Sequence, residues 1–136
     1  MSVETFVFER LKAVAGVTSL VGTGDAARIY PNVLPQAPTY PAVSFFLVDS
    51  VRWHAMGADT GDVESRVQVD AWDEQPTGAI ALGAAVRAGL SRFNGTVASV
   101  VVQDIYIENE LGLPEPGVAT GGVFRQMQDF RVVHKE

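Results

Sequence analysis

The chain has 136 residues, with 10 Lys and Arg against 16 Asp and Glu, a formal net charge of −6. At 47% hydrophobic and 19% charged residues, it reads as one folded, soluble domain spanning residues 1–136 and not as a disordered segment. The absence of cysteine excludes disulfides, thiolate metal sites and a Cys nucleophile, and the acidic balance argues against wrapping nucleic acid, which needs dense Lys and Arg. No run approaches the roughly 18 apolar residues of a membrane helix. The opening Met1-Ser2-Val3-Glu4 lacks the basic start and apolar core of a signal peptide.

The spacing of Val3, Phe6, Val7, Leu11 and Val14 predicts an amphipathic helix from about Val3 to Ala15, with Ser2 as N-cap and Gly16 as stop. Gly22-Thr23-Gly24-Asp25-Ala26-Ala27 then reads as a turn. Its glycines match neither the dinucleotide fingerprint nor the P-loop spacing. Arg28-Ile29-Tyr30 is a short extended segment, and Pro31, Pro35, Pro38 and Pro41 make the following connector non-helical.

Ala42 to Trp53 is strand-like, with apolar residues on both faces of its first half. From Asp62 to Trp72 the alternation is clean. Val63, Val67, Val69 and Ala71 share one face, and Glu64, Arg66, Gln68 and Asp70 the other. The two segments, joined through the turn-rich His54–Gly61, read as a long β-hairpin. A second helix is predicted over Thr77–Phe93, opened by Pro76 and closed by Asn94-Gly95, with Leu82, Val86, Leu90 and Phe93 on its apolar line. Ala98–Asn109 is a third strand, read with Val101, Ile105 and Ile107 on one face and Val100, Val102 and Tyr106 on the other. The stretch Leu111–Gly117 breaks it, and a last strand begins at Gly121 or Gly122 and runs through Val133. The predicted class is α+β, a mainly antiparallel sheet with a long β-hairpin and two helices packed on one face.

Chemistry-bearing residues are few. His54 and His134 have no metal-ligand spacing and read as exposed side chains, Asp73-Glu74 charges the entry to the second helix, and no nucleophile elbow is present. The expectation is a protein with no catalytic residues, no metal and no cofactor. Charge is uneven. Asp49, Asp59, Asp62, Glu64, Asp70, Asp73 and Glu74 face only Arg52 and Arg66 between Asp49 and Gln75, and Asp104, Glu108, Glu110 and Glu115 lie in a stretch without a base. Trp53 and Met56 near the first hairpin tip, and Leu111 and Leu113 near the second, suit either protein contacts or packing within their loops.

Four segments in order resemble the phage tail-completion proteins, the small tail-terminator or head–tail joining proteins of long-tailed phages. They are Arg28-Ile29-Tyr30-Pro31; Leu34-Pro35-Gln36 with Tyr40-Pro41-Ala42-Val43-Ser44-Phe45; Ser65-Arg66-Val67-Gln68-Val69-Asp70-Ala71-Trp72 running into Ala84-Ala85-Val86-Arg87-Ala88-Gly89-Leu90; and Phe124-Arg125-Gln126-Met127-Gln128-Asp129-Phe130-Arg131-Val132. The resemblance implies a structural subunit without catalysis or cofactor. It would form a ring of itself, typically a hexamer, between a tail tube protein and a head connector or stopper protein. DNA would pass through the centre without specific binding. The implied location is the head-proximal end of the virion tail, reached by assembly in the host cytoplasm, with no membrane involved. On that reading Trp53, His54, Met56, Asp59, Asp62, Glu64, Leu111 and Leu113 are candidate interface residues. Asp59, Asp62, Glu64, Glu108 and Glu110 are candidate channel-facing acids, since a conduit gains from not binding phosphate. A tail tube protein, a connector adaptor or a cellular protein-binding domain are the other readings of the same residues.

Overall fold

The computed structural model describes residues 2–35, 38–115 and 123–135. Helix α1 (Val3–Ala13) starts where Ser2 Oγ accepts the Thr5 N–H at 3.2 Å, with Glu4 in its first turn and Arg10 and Lys12 in its last, both favourable to the helix dipole. The predicted helix to Ala15 is cut short. Val14 is extended, and a second helix, α2 (Ala15–Val21), ends at Gly22 with φ 96°. Gly16 therefore lies inside a helix and is no stop. The break is made by tertiary packing, because Val14 fills the space over Gly89 of helix α3 (Pro76–Leu90). The helix layer thus has three members, against the two expected. α3 ends before the predicted Phe93, with Ser91 as its cap and Arg92 at φ 61°.

The sheet has six strands in the order β1-β2-β3-β6-β5-β4, namely β1 (Ile29–Pro31), β2 (Ala42–Ala55), β3 (Ala58–Asp73), β4 (Gly95–Val97), β5 (Val100–Glu115) and β6 (Val123–Lys135). All neighbours are antiparallel except β1 on β2. The hairpin of β2 and β3 is longer than its sequence suggested, for the broad turn expected at His54–Gly61 contracts to Met56-Gly57, with Gly57 at φ 84°. β5 runs on through Glu115 where a break was expected, held in register against β6 up to Glu115 opposite Val123. The start expected for the last strand at Gly121 or Gly122, like the end of the Leu111–Gly117 segment, lies outside the described residues.

Two local features escaped the sequence pattern. Ala98 and Ser99 both have positive φ (52° and 64°) and turn β4 back onto β5, although Ala98 was expected within a strand. The β5 register shifts between Val102 and Asp104 and again between Ile107 and Asn109. Each inserts one residue and swaps the faces that follow. Val100, Val102 and Ile105 are consequently buried together, and Val101, predicted beside Ile105, is exposed.

All three helices cover one face. The core joins Phe6, Val7 and Leu11 of α1, Val17 and Val21 of α2, and Leu82, Val86 and Leu90 of α3 to Val43, Phe45, Val67, Val69, Ile105, Phe130 and Val132 of the sheet. Phe6 also meets Phe93 at 5.7 Å between ring centroids. Each large side chain so buried contributes about 1.5–3 kcal/mol. The α1–α2 break depends on the contact of Val14 with Gly89, where an added Cβ would stand 2.6 Å from Val14 Cγ2. A short β-branched side chain cannot swing away from such an overlap. We expect Gly89→Ala to destabilise the fold by about 1–3 kcal/mol, measured as a lowered urea midpoint at unchanged m-value.

Candidate assembly surface

The face away from the helices is a cross-strand lattice of charges. β3 places Asp62, Glu64, Arg66, Gln68, Asp70 and Trp72 there, and β6 places Arg125, Met127, Asp129, Arg131, Val133 and Lys135 opposite them. Lys135 Nζ lies 2.8 Å from Asp62 Oδ1, Arg66 Nη2 3.1 Å from Asp129 Oδ2, and Arg131 Nε 2.9 Å from Glu108 and 4.0 Å from Glu64. Tyr106 OH donates to Glu64 Oε1 at 2.7 Å, and Trp72 Nε1 donates to Ser44 Oγ at 2.9 Å. The Arg125 guanidinium sits over the Trp72 ring and 4.0 Å from Asp70. Asp70 and Asp129 are buried at the lattice centre, so their partners replace the water they lose.

These contacts set the protonation behaviour. A hydrogen bond from Lys135 and that residue's charge hold Asp62 below the usual carboxylate range. Its hydrogen bond to Glu64 pushes Tyr106 above the usual phenol value.

Beyond Asp62, where β6 ends opposite it with Lys135, the hairpin of β2 and β3 projects alone. Its β2 strand is exposed on both faces from Val48 onward. Val51 and Trp53 stand about half open, and Met56 at the tip is fully open. His54 is exposed and pairs in register with Asp59. Asp62 and Glu64 lie at the root of this arm. Leu111 is exposed on β5 opposite Met127, and Leu113 follows opposite Arg125. The eight candidate interface residues thus form two groups. Six belong to the arm and its root, and two lie on the opposite flank of the sheet, toward its other end.

The five candidate channel acids divide as well. Asp62, Glu64 and Glu108 belong to the helix-free lattice, and Asp59 belongs to the arm. Glu110 lies across the sheet under α3, where Arg87 Nη1 meets both its oxygens at 3.0 Å. Gln128 Nε2 donates to its Oε2 at 2.6 Å and to Gly83 O at 2.8 Å. The bulge between Ile107 and Asn109 makes this separation. Sequence reasoning missed the basic half of the lattice, Arg125, Arg131 and Lys135. Its signal was alternate charged positions in a strand recognised chiefly by its apolar residues.

Of the histidines, His54 is exposed as expected. His134 is buried, its Nε2 2.8 Å from Ser65 Oγ, which is in turn 2.9 Å from Ser50 Oγ. These side chains border a cleft of about 330 Å³ with Ser2, Glu4, Arg52 and Lys135. The carboxylate of Asp73 lies over Gly78 in the first turn of α3 and accepts the Glu74 N–H, as an anion at a helix start should. Among the described residues no group of three or more His, Cys, Asp or Glu is placed to hold a metal ion.

The family described as Tail completion protein gp17 matches residues 5–135. The chain belongs to this family. It is a structural protein of the phage tail, and so a virion component. No curated protein matches it significantly in sequence. Among solved structures, a chain of "Virion of native gene transfer agent (GTA) particle" shares the fold, with a TM-score of 0.74 at 18% identity over 96% of this chain and 92% of that one.

Glu110 provides a test of the packing beneath this surface. Hydrogen bonding from Gln128, with help from Gln126 and Arg87, lowers its pKa below the ordinary 4.5. A depressed carboxylate stabilises the fold above the unfolded-state value, and that contribution disappears as pH falls through the folded-state value. Glu110→Gln should therefore flatten the acid limb of the stability profile, read from urea midpoints between about pH 6 and pH 3.

Proposed function

We propose that this tail-completion protein closes the head-proximal end of a tail tube as a ring, typically of six subunits, and joins it to the head connector. The partners are further copies of itself, the tube protein and the connector or stopper protein. The subunit carries no catalytic group and needs no cofactor, and it assembles in the host cytoplasm before entering the virion.

The observation that carries this reading is the projecting arm. A two-stranded ribbon in water is marginal on its own, and this one exposes Val51, Trp53 and Met56 beyond the body of the sheet. An arm of that kind gains stability when a partner covers it. Trp and Met are side chains that supply contact energy at low geometric cost.

The helix-free face is our choice for the channel wall. Asp62, Glu64 and Glu108 lie on it with Asp70 and Asp129, and each has a basic neighbour within 4.0 Å. A wall whose cations are engaged by its own acids offers few free positive charges to passing phosphates. Asp59 sits on the arm, at the rim of such a channel, and Glu110 is left to hold α3.

A chain lacking Ala55–Thr60, with its hairpin closed by Asn-Gly, should fold with an unchanged circular dichroism spectrum and yet fail to join heads to tails. Electron microscopy of lysates from complementation would then find separate heads and tails of irregular length. A normal yield of infectious particles would refute the role of the arm. Long stacks of rings formed by the purified wild-type chain would indicate a tube protein in its place.

A further inference from the structure

The six-stranded sheet is capped unevenly. β1 covers β2 only from Val43 to Phe45, and β4 covers β5 only from Val100 to Val102, where the Arg92 N–H adds one bond to Ile105 O. Among the described residues, Leu47–Ala55 of β2 and Ile107–Glu115 of β5 therefore have strand neighbours on one side only. These two open edges are equal in length and lie on opposite flanks of the sheet. They also run in opposite directions, since β2, β3, β6 and β5 alternate without exception. A copy set flank to flank with another would continue that alternation across the boundary.

We propose that β2 of one subunit adds antiparallel to β5 of the next, Leu47–Ala55 beside Ile107–Glu115, and that β1 and β4 act as stops that set the offset between subunits. The proposal rests on the ring reading and names the contact that makes the ring. Its occupant is a second copy of this chain, and the contact is heterologous, as closure by rotation requires. Side chains agree with the pairing. Exposed Val51 meets exposed Leu111 at its centre, both on the helix-free face, since Val51 pairs with Glu64 and Leu111 with Met127.

The offset follows from the stops. Within one subunit Val51 is level with Asp104, through Glu64 and Val133. A flush neighbour would set its Val51 at that level, with its β1 driven against the lower part of β5 and its own lower β2 unable to pair. Sliding it until Val51 meets Leu111, which is level with Met127, clears both short strands. That slide is about 20 Å along the strands for about 19 Å across four of them. The strands then tilt about 45° to the ring axis, within the range that closed barrels adopt. The two three-residue strands thus have a geometric purpose, since they permit only a staggered and closable contact.

The chain has no cysteine, so introduced pairs report cleanly. Within one subunit Val51 and Leu111 are separated by β3 and β6, at least about 14 Å, beyond the roughly 7 Å Cα separation a disulfide tolerates. The variant V51C/L111C, oxidised both as concentrated purified protein and in complemented particles, should give a disulfide ladder on a non-reducing gel. The ladder should end at the subunit number of the ring. V51C mixed with L111C should stop at dimers, and V51C/D104C, the flush pairing, should give no ladder. A ladder from V51C/D104C with none from V51C/L111C would overturn the offset. Infectious, normally joined particles carrying V51C/L111C without any ladder would overturn edge pairing and leave the tail-completion role standing. That role itself fails separately, if particles lacking the chain still join heads to tails.

Discussion

The pairing of β3 with β6 in one register is the constraint on which the rest depends. Val67 stands opposite Phe130, Ser65 opposite Val132 and Asp70 opposite Met127. Because side chains alternate, this register puts Val63, Val67, Val69, Phe130 and Val132 under the helices and the ion-paired Asp62, Glu64, Arg66, Asp70, Arg125, Asp129, Arg131 and Lys135 on the far face. A slip of β3 by one residue would bury Arg66 and Gln68 under the helices, and the same slip of β6 would bury Arg131. Gln128 fixes the register from the helix side. It is buried, and its amide bridges Gly83 of α3 to Glu110 of β5, so helix, central strand and outer strand are tied at one point. Losing either contact would leave a buried polar group unmatched, which costs about 1–3 kcal/mol.

Where one physical effect dominated, the sequence was readable. β3 alternates because one face is under helices and the other is not, and α3 is recognisable because its apolar line and its alanines answer to one face of the sheet. Where two effects competed, local pattern lost. Val14 continues the helical spacing of α1, but its contact with Gly89 requires a break, and α2 restarts beyond it. Ala98 has no preference for positive φ, yet the return of β4 onto β5 imposes it. The parity of β5 could not be read at all, because a bulge has no composition of its own and two of them occur in that strand.

The same parity decided how much of the candidate site could be foreseen. Acids grouped by their place in the chain are sorted by the sheet into two faces. Glu108 and Glu110 are two residues apart and should share a face in a regular strand. The bulge between Ile107 and Asn109 sends one to Arg131 and the other to Arg87. The arm was legible, as two strand-like segments with a glycine-bearing turn and little apolar cover toward the tip. Its reach beyond the sheet was not, since that depends on where β6 stops against it.

A subunit with two open edges must resist pairing with anything else until it meets its own kind. Short cover strands protect one end of each edge, and the bulges protect the remainder. β2 gains a residue between Leu47 and Asp49 and β5 gains one between Ile107 and Asn109, while the pairing of β2 shifts again between Arg52 and His54, where the extra residues are in β3. All three lie within the open stretches. A bulge twists an edge and interrupts its row of donors and acceptors, so a flat foreign strand finds few bonds in register. The chain's net charge of −6 adds repulsion between copies that approach in the wrong orientation. Irregular backbone and surplus acid thus act together, keeping separate subunits apart while leaving one staggered contact favourable.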